Sequence, residues 1–413
     1  MRTSDFIDSH ANDDIRALAL KHAGRKDIDL PFALDQIAGR RTARRKLPTW
    51  AETEGITYPP HISMEQCSSE QTARYKAAIA ERMAGGGLMV DITGGLGVDF
   101  SFMARCFDSA VYVERQEHLC AIAERNFARL GLGNSRIVCG DGVEYLQTMK
   151  EHAALIFVDP ARRNDNGGRT YAIGDCTPDI LGIKDLLLDK ADSIIIKLSP
   201  MLDWHKAAAD IGRNVCEVHI VSVENECKEL LVILSKDAEK PLTVFCTDGD
   251  NVISYRPETE NKTPECRHDE TIRPAATNDT APVGSESDTP HTPKYLYEPN
   301  ASIMKAGCFD LVGRMFGMRQ ISNDSHLFVS NEPADNFPGR EFVISTITGM
   351  NKKDIRKTLA GITQANIATR NFPLPVAELR RKLRLKDGGD TFIFATTTAD
   401  KKHILIVCKR KTA

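Results

Sequence analysis

The 413-residue chain has no run approaching the ~18 apolar residues that a membrane span needs. Its first residues, Met-Arg-Thr-Ser-Asp-Phe-Ile-Asp, lack the apolar core of a secretory leader. Its eleven cysteines include no Cys-x-x-Cys pair, and an odd count without framework spacing fits reduced thiols rather than a disulfide scaffold. These absences predict a cytoplasmic protein with no membrane partner. Cys266 and His268 have no second ligand pair, so no metal is expected. Apolar residues are also nearly absent from 257–293, which is rich in Pro, Thr, Ser, Glu and Asp. Such a stretch cannot bury enough surface to offset its ordering, and it reads as a mobile insert. The net charge of −3 singles out no partner class, and the length suffices for two to four domains.

What the chain does have is concentrated at 88–100, Leu-Met-Val-Asp-Ile-Thr-Gly-Gly-Leu-Gly-Val-Asp-Phe. An apolar strand runs into a glycine-rich turn and then a helix, with Asp91, Thr93, Gly95 and Gly97 on alternate positions. Glycines let a ligand approach the backbone, and the following helix aims its free N–H groups at the turn. A second strand at 110–114 ends in Glu114, which is 17 residues past Gly97 and near the ~20-residue offset at which an acid holds a ribose hydroxyl. An amphipathic helix at 116–130 closes at Gly131. A third strand, 135–141, ends in Asp141, and a short helix follows at 142–150. A fourth strand, 154–159, ends in Asp159-Pro160. A helix at 176–190 and a fifth strand at 193–200 complete an alternation that predicts a parallel sheet with ligands at the carboxyl ends of its strands.

The block from 88 to 235 resembles a class I S-adenosylmethionine-dependent methyltransferase. Asp91-x-Thr93-Gly94-Gly95-x-Gly97 matches that family's first motif. The resemblance implies that Glu114 holds the ribose hydroxyls, that Asp141 holds the adenine amino group, and that Asp159 and Pro160 form the catalytic motif. Two strands at 215–223 and 230–234, joined by the turn 224–229, fit the antiparallel pair that ends this domain in the family. A link that short permits only antiparallel pairing.

The segment before 85 reads as helical at 13–23 and 31–43, with a basic run Arg40, Arg41, Arg44, Arg45 and Lys46. That run is either a solvated helix face or a phosphate-binding patch. A further helix at 71–83 has Ser68 or Ser69 to cap it. The segment resembles the piece that precedes the core in bacterial THUMP-like-domain methyltransferases, where it would lie over the cofactor. After 234 a hairpin surrounds 247–250, and 294–336 resembles the ferredoxin-like insert of the same family.

Residues 351–413 hold 15 Lys and Arg against 5 Asp and Glu, an excess of ten in a chain whose net charge is −3. Lys352, Lys353, Arg356 and Lys357 share one predicted helix, and Arg380, Arg381, Lys382, Arg384 and Lys386 cluster on another. This part resembles the family's THUMP-like domain. A basic face segregated on one domain is the footprint of a nucleic-acid grip, against the alternative of a lysine-rich solubilising surface.

In amino-group methyltransferases of the Asp/Asn-Pro-Pro-aromatic type an aromatic ring stacks on the base. Here the motif is Asp159-Pro160-Ala161-Arg162-Arg163, and Arg162 replaces the aromatic. A guanidinium can stack on a base or hold a phosphate. No Pro-Cys pair is present for covalent cysteine catalysis. Lys197 and Ser199, ending the fifth strand, are further candidates. The expected protein is an α/β methyltransferase with a Rossmann-like core. A helical N-terminal domain (1–84), the core (85–236), a ferredoxin-like module (237–339) and a THUMP-like domain (340–413) make up the chain. S-adenosylmethionine is the expected cofactor, held by Asp91, Thr93, Gly94, Gly95, Gly97, Glu114 and Asp141. RNA is the expected substrate, held by Arg162, Arg163, Arg380, Arg381, Lys382 and Arg384. The alternatives are a methyltransferase of a protein or small molecule, and a non-catalytic RNA-binding protein on a methyltransferase scaffold.

Overall fold

The computed structural model of the chain describes residues 2–162, 173–257 and 293–411. They form two compact units. The first is built mainly from 1–219 and 229–244, the second from 220–228, 245–255 and the residues after 292. Among the described residues no helix is long and apolar enough to cross a membrane.

The first unit begins with six helices: α1 (Thr3–Ser9), α2 (Ile15–Lys21), α3 (Leu30–Lys46), α4 (Pro48–Glu52), α5 (His61–Gln66) and α6 (Glu70–Ala84). Local chemistry sets their starts. Asp14 caps α2 through the Ala17 N–H, Asp29 caps α3 through Phe32, and Ser69 caps α6 through Thr72. Three residues of the basic run on α3 are tied to neighbouring segments, while Arg44 and Arg45 are exposed. Arg40 pairs with Asp8, Arg41 donates to the carbonyl of Ala11, and Lys46 donates to those of Met64 and Glu65. Arg41 and Lys46 hold α3 to neighbouring backbone, which neither sequence reading anticipated; Arg44 and Arg45 fit the solvated face.

Seven strands follow: β1 (Leu88–Asp91), β2 (Ser109–Glu114), β3 (Ser135–Cys139), β4 (Ala153–Val158), β5 (Ala191–Leu198), β6 (Val215–Val223) and β7 (Glu226–Ser235). Their order is β6-β7-β5-β4-β1-β2-β3, and the sheet continues past β6 through β8 (Thr243–Asp248) and β9 (Asn251–Tyr255). β1 to β5 are parallel, and β7 lies antiparallel to β5. The central strands read as nearly continuous apolar runs because helices cover both faces of a parallel sheet. Those helices are α7 (Val98–Met103), α8 (Glu117–Arg129), α9 (Gly142–Thr148), α10 (Ile180–Lys190) and α11 (Trp204–Ile211).

Two boundaries differ from the sequence reading. The helix expected from 176 starts at Ile180, and Cys176–Thr177 instead pair antiparallel with Ala161–Arg162. Thr177 precedes Pro178, whose ring disfavours the helical region for the residue before it. The six-residue turn expected at 224–229 contracts to Glu224-Asn225, whose φ angles of 53° and 62° suit a two-residue hairpin turn. Glu229 therefore lies within β7.

In the second unit one seven-stranded sheet joins the ferredoxin-like and THUMP-like segments. Its strands are β10 (Tyr295–Pro299), β11 (Arg319–Gln320), β12 (Phe328–Ser330), β13 (Gly339–Gly349), β14 (Asn366–Arg370), β15 (Thr391–Thr397) and β16 (His403–Arg410), in the order β11-β12-β10-β13-β16-β15-β14. The helices are α12 (Ala301–Ala306), α13 (Phe309–Met315), α14 (Lys352–Thr358) and α15 (Val376–Leu383). Leu379 and Leu383 of α15 pack on Ile393, Leu405 and Val407, leaving the basic side of the helix outward. The insert expected at 257–293 lies, except for its two end residues, outside the described residues.

Candidate active site

The turn after β1 is shaped by close contact. The Gly94 N–H donates to the carbonyl of Val113 at 2.9 Å, which lays the turn on β2. A Cβ on Gly94 would sit 2.2 Å from the Tyr112 ring, so no larger residue fits. Gly97, at φ 78°, precedes α7 in the left-handed region that favours glycine.

The acids at the strand ends surround this turn. Glu114 is buried; its Oε2 accepts from the Gly95 N–H and its Oε1 from the Gln116 N–H, both at 2.8 Å. Asp91 is buried too and accepts from the Thr93 N–H at 2.9 Å. Burial pushes the Asp91 carboxyl up to about 8, against the pull of that hydrogen bond, and Asp99 and Asp159 add repulsion. The Thr93 hydroxyl in turn accepts from the Asp159 N–H at 2.7 Å, joining the ends of β1 and β4. Asp141 caps α9 through Val143 and Glu144 and pairs with Arg115, so it has structural work of its own.

Asp159 is held from its side chain as well. Lys197, at the end of β5, donates to Asp159 Oδ2 at 2.6 Å. Lys197 also reaches Asp99 Oδ2 at 3.3 Å, and Ser68 donates to that same oxygen at 2.8 Å. Behind Asp99 lies Lys76 of α6, 3.2 Å away, which donates to both oxygens of Glu229 at 2.5 and 2.7 Å. Gln66, Cys67 and Ser68 line the same cleft as Gly95, Asp159 and Lys197. The segment before the core thus borders the glycine turn. Pro160 is buried directly after Asp159. The side chain of Arg162 and all of Arg163 lie outside the described residues.

Sequence reading named Asp159 and Lys197 but missed Lys76, Asp99, Glu229 and Ser68. A signal existed for two of them. Lys76 falls in the stripe of Ala73, Ile79 and Ala80 on the buried face of α6, and Glu229 adjoins the run of buried residues 230–235 on β7. A charge on an apolar face demands a partner.

On the second unit the predicted basic residues divide. Arg380 donates to the carbonyl of Ala365 at 2.9 Å and pairs with Asp387 at 2.6 Å. Arg381, Lys382, Arg384 and Lys386 are exposed, as are Lys352, Lys353, Arg356 and Lys357 on α14.

Residues 339–410 match the THUMP domain-like family, and residues 295–338 match a ferredoxin-like domain family. A candidate methyltransferase from Porphyromonas gingivalis W83 has the same structure at a TM-score of 0.81 and 30% identity, over 99% of this chain and 98% of that one. An rRNA methylase from Streptococcus thermophilus is 18% identical over 40% of this chain and 94% of its own, at a TM-score of 0.30. A candidate class I S-adenosylmethionine-dependent methyltransferase from Listeria monocytogenes is 10% identical over 59% of this chain and 92% of its own, at 0.37. At such scores these last two likenesses carry nothing further. No curated protein matches the chain.

Proposed function

Because the chain belongs to the class I S-adenosylmethionine-dependent methyltransferases that carry a C-terminal THUMP-like domain, we propose that it binds S-adenosylmethionine at the turn after β1 and methylates RNA. The observation that carries this reading is the meeting, in one cleft, of the glycine turn with an acid fixed by a lysine, Asp159 by Lys197.

The residues present fit the cofactor. Each carboxylate oxygen of Glu114 has two lone-pair sites and spends one on a backbone N–H. One site per oxygen is left for the paired hydroxyls of a ribose. Asp141 accepts the adenine amino group beside its capping bonds. Asp91, kept neutral by burial, ionises to meet the ammonium of the amino-acid end. Thr93, Gly94, Gly95 and Gly97 let the backbone come close. When bound, the cofactor supplies an electrophilic methyl group on a sulfonium.

Asp159 and Pro160 stand on the acceptor side. Methyl transfer is an in-line displacement, so alignment of the acceptor supplies much of the rate. Lys197 and Thr93 restrict Asp159 from both its side chain and its backbone, which suits it to hold an acceptor hydrogen. Arg162 and Arg163 follow within four residues and are assigned to the substrate. The exposed Arg381, Lys382 and Arg384 hold the RNA backbone; Arg380, paired with Asp387, supports them instead of touching phosphate.

Calorimetry tests the cofactor: S-adenosylmethionine binds and NAD does not, and the reverse result rejects the reading. Nucleoside mass spectrometry on RNA from wild-type and deletion cells tests the substrate. One modified nucleoside missing from the deletion strain is expected. If none is missing and the protein binds no RNA, a protein or small-molecule substrate takes precedence. RNA binding without cofactor binding would favour the non-catalytic alternative.

A further inference from the structure

Five charged side chains, from β7, α6, α7, β5 and the turn after β4, alternate in sign: Glu229, Lys76, Asp99, Lys197 and Asp159. Exposure rises along the row from Lys76 onward. The side chain of Lys76 is 0% exposed, that of Lys197 15% and that of Asp159 40%. Buried ion pairs of this kind are weak devices for stability, because desolvation offsets attraction. A row that ends at the acceptor acid has another use. It fixes one ammonium, Lys197, beside the point where the acceptor atom must sit. Burial opposes the charge on Lys197, but Asp159, Asp99 and Glu229 outweigh it and hold the lysine protonated.

A fixed ammonium discriminates between acceptor atoms. A nitrogen acceptor gains positive charge as it takes a methyl group, and a resident cation opposes that. A pyrimidine carbon acceptor needs a thiolate to activate the ring, but burial pushes the thiol of Cys67, which lines the cleft, further up. A hydroxyl oxygen gains negative character as its proton leaves, and a cation favours that. The chain after Asp159-Pro160 also offers Ala161, Arg162 and Arg163 in place of a ring to stack a base.

We propose that the acceptor is a hydroxyl oxygen, the ribose 2′-hydroxyl of an RNA nucleotide, with Lys197 facing the developing charge and Asp159 receiving the proton. The inference rests on the RNA reading above. The hydroxyl oxygen forms the new oxygen–carbon bond while the carbon–sulfur bond breaks and leaves its electron pair on sulfur. The hydroxyl proton passes to the Asp159 oxygen that Lys197 leaves free, and then to solvent. Asp99, Lys76 and Glu229 are positioning residues that fix Lys197. The 2′-hydroxyl is the group that distinguishes RNA from DNA at a given nucleotide.

The full chain is incubated with deproteinised RNA from cells lacking the protein and with S-adenosylmethionine carrying a trideuterated methyl group. The RNA is then digested and its nucleosides fragmented in a mass spectrometer. Label on the ribose fragment, at a phosphodiester that resists alkali, is expected. Label on a base fragment overturns the hydroxyl proposal and leaves the RNA reading standing. RNA without label, while the same chain labels protein or metabolite extracts, overturns the RNA reading and the ribose with it. In parallel, Lys197→Met should lower turnover by about a hundredfold to a thousandfold. It should leave the affinity for S-adenosylhomocysteine, read by calorimetry without any turnover, within about twofold, since Lys197 makes no bond to the glycine turn. Lys197→Arg, which keeps the charge, should recover part of the rate. Turnover unchanged in Lys197→Met, or product affinity lost in both variants, makes Lys197 a scaffold residue and overturns the proposal.

Discussion

Lys76 and Lys382 are both lysines on helices that pack a core, yet they meet opposite surroundings. Lys76 on α6 has no exposed surface and lies against the carboxylates of Glu229 and Asp99. Lys382 on α15 stands in solvent beside the exposed Arg381 and Arg384. The first of these lysines is spent on fixed internal partners, and the second is presented to solvent. A paired buried charge is little screened by salt and costly to orphan. An exposed one is screened within about 8–10 Å at physiological ionic strength and is free to meet a polyanion. Charge count alone therefore predicts neither role; the partners of each head group do.

The contrast is broken most severely at Lys76. Lys76→Met would leave Glu229 and Asp99 buried without their cation, and should cost about 3–5 kcal/mol of stability, read from denaturant unfolding. A loss below ~1 kcal/mol would put the row among ordinary surface pairs. Next, Asp159→Ala should lower turnover by about a hundredfold to ten-thousandfold while the affinity for S-adenosylhomocysteine stays within about twofold. Full turnover in this variant would make Asp159 structural. Glu114→Ala should act the other way round, weakening the cofactor by about tenfold to a hundredfold, or roughly 1.5–3 kcal/mol, by calorimetry.

A pH series sharpens the same division. Asp91 carries its proton below about pH 8 in the free chain, because burial disfavours its charge. Pairing with the cofactor's ammonium requires that proton to leave. Cofactor affinity should thus rise with pH up to about 8 and then level off, and Asp91→Asn should flatten the rise along with weakening binding. The smallest effect belongs to the exposed side. Neutralising Arg381, Lys382 and Arg384 together should reduce the salt slope of RNA binding by about two units, at ~0.7 per phosphate contact on single strands. Cofactor affinity should not change. An unaltered slope would make α15 a solvated surface.

The parts of the site that lay at strand ends were legible one residue at a time. Asp91, Glu114, Asp141 and Asp159 each close an apolar run, and the glycines between the first two gave the turn its meaning. The charged row was illegible for a geometric reason. Lys76 and Glu229 are 153 positions apart, and Lys197 and Asp99 are 98 apart, so no local spacing connects them. Lys76 and Glu229 betrayed themselves only as charges where an apolar residue was due. The basic run of α3 failed in the opposite way, since Arg41 and Lys46 bind carbonyls that any sequence would supply. The late start of α10 and the two-residue turn at Glu224-Asn225 were decided by a proline and by left-handed backbone. Periodicity alone weighs neither.

The last strand of the chain, β16, is not at the rim of its sheet but between β13 and β15. Everything from Tyr295 onward that pairs across the middle of that sheet waits for residues 403–410. During synthesis residues 403–410 must therefore leave the ribosome before the second unit can close. Until then β13 and β15 each present an open edge to solvent or to a chaperone. The first unit, whose strand residues end by 244, needs no such delay. Assembly in vivo should run from one end of the chain to the other, with the second unit competent last.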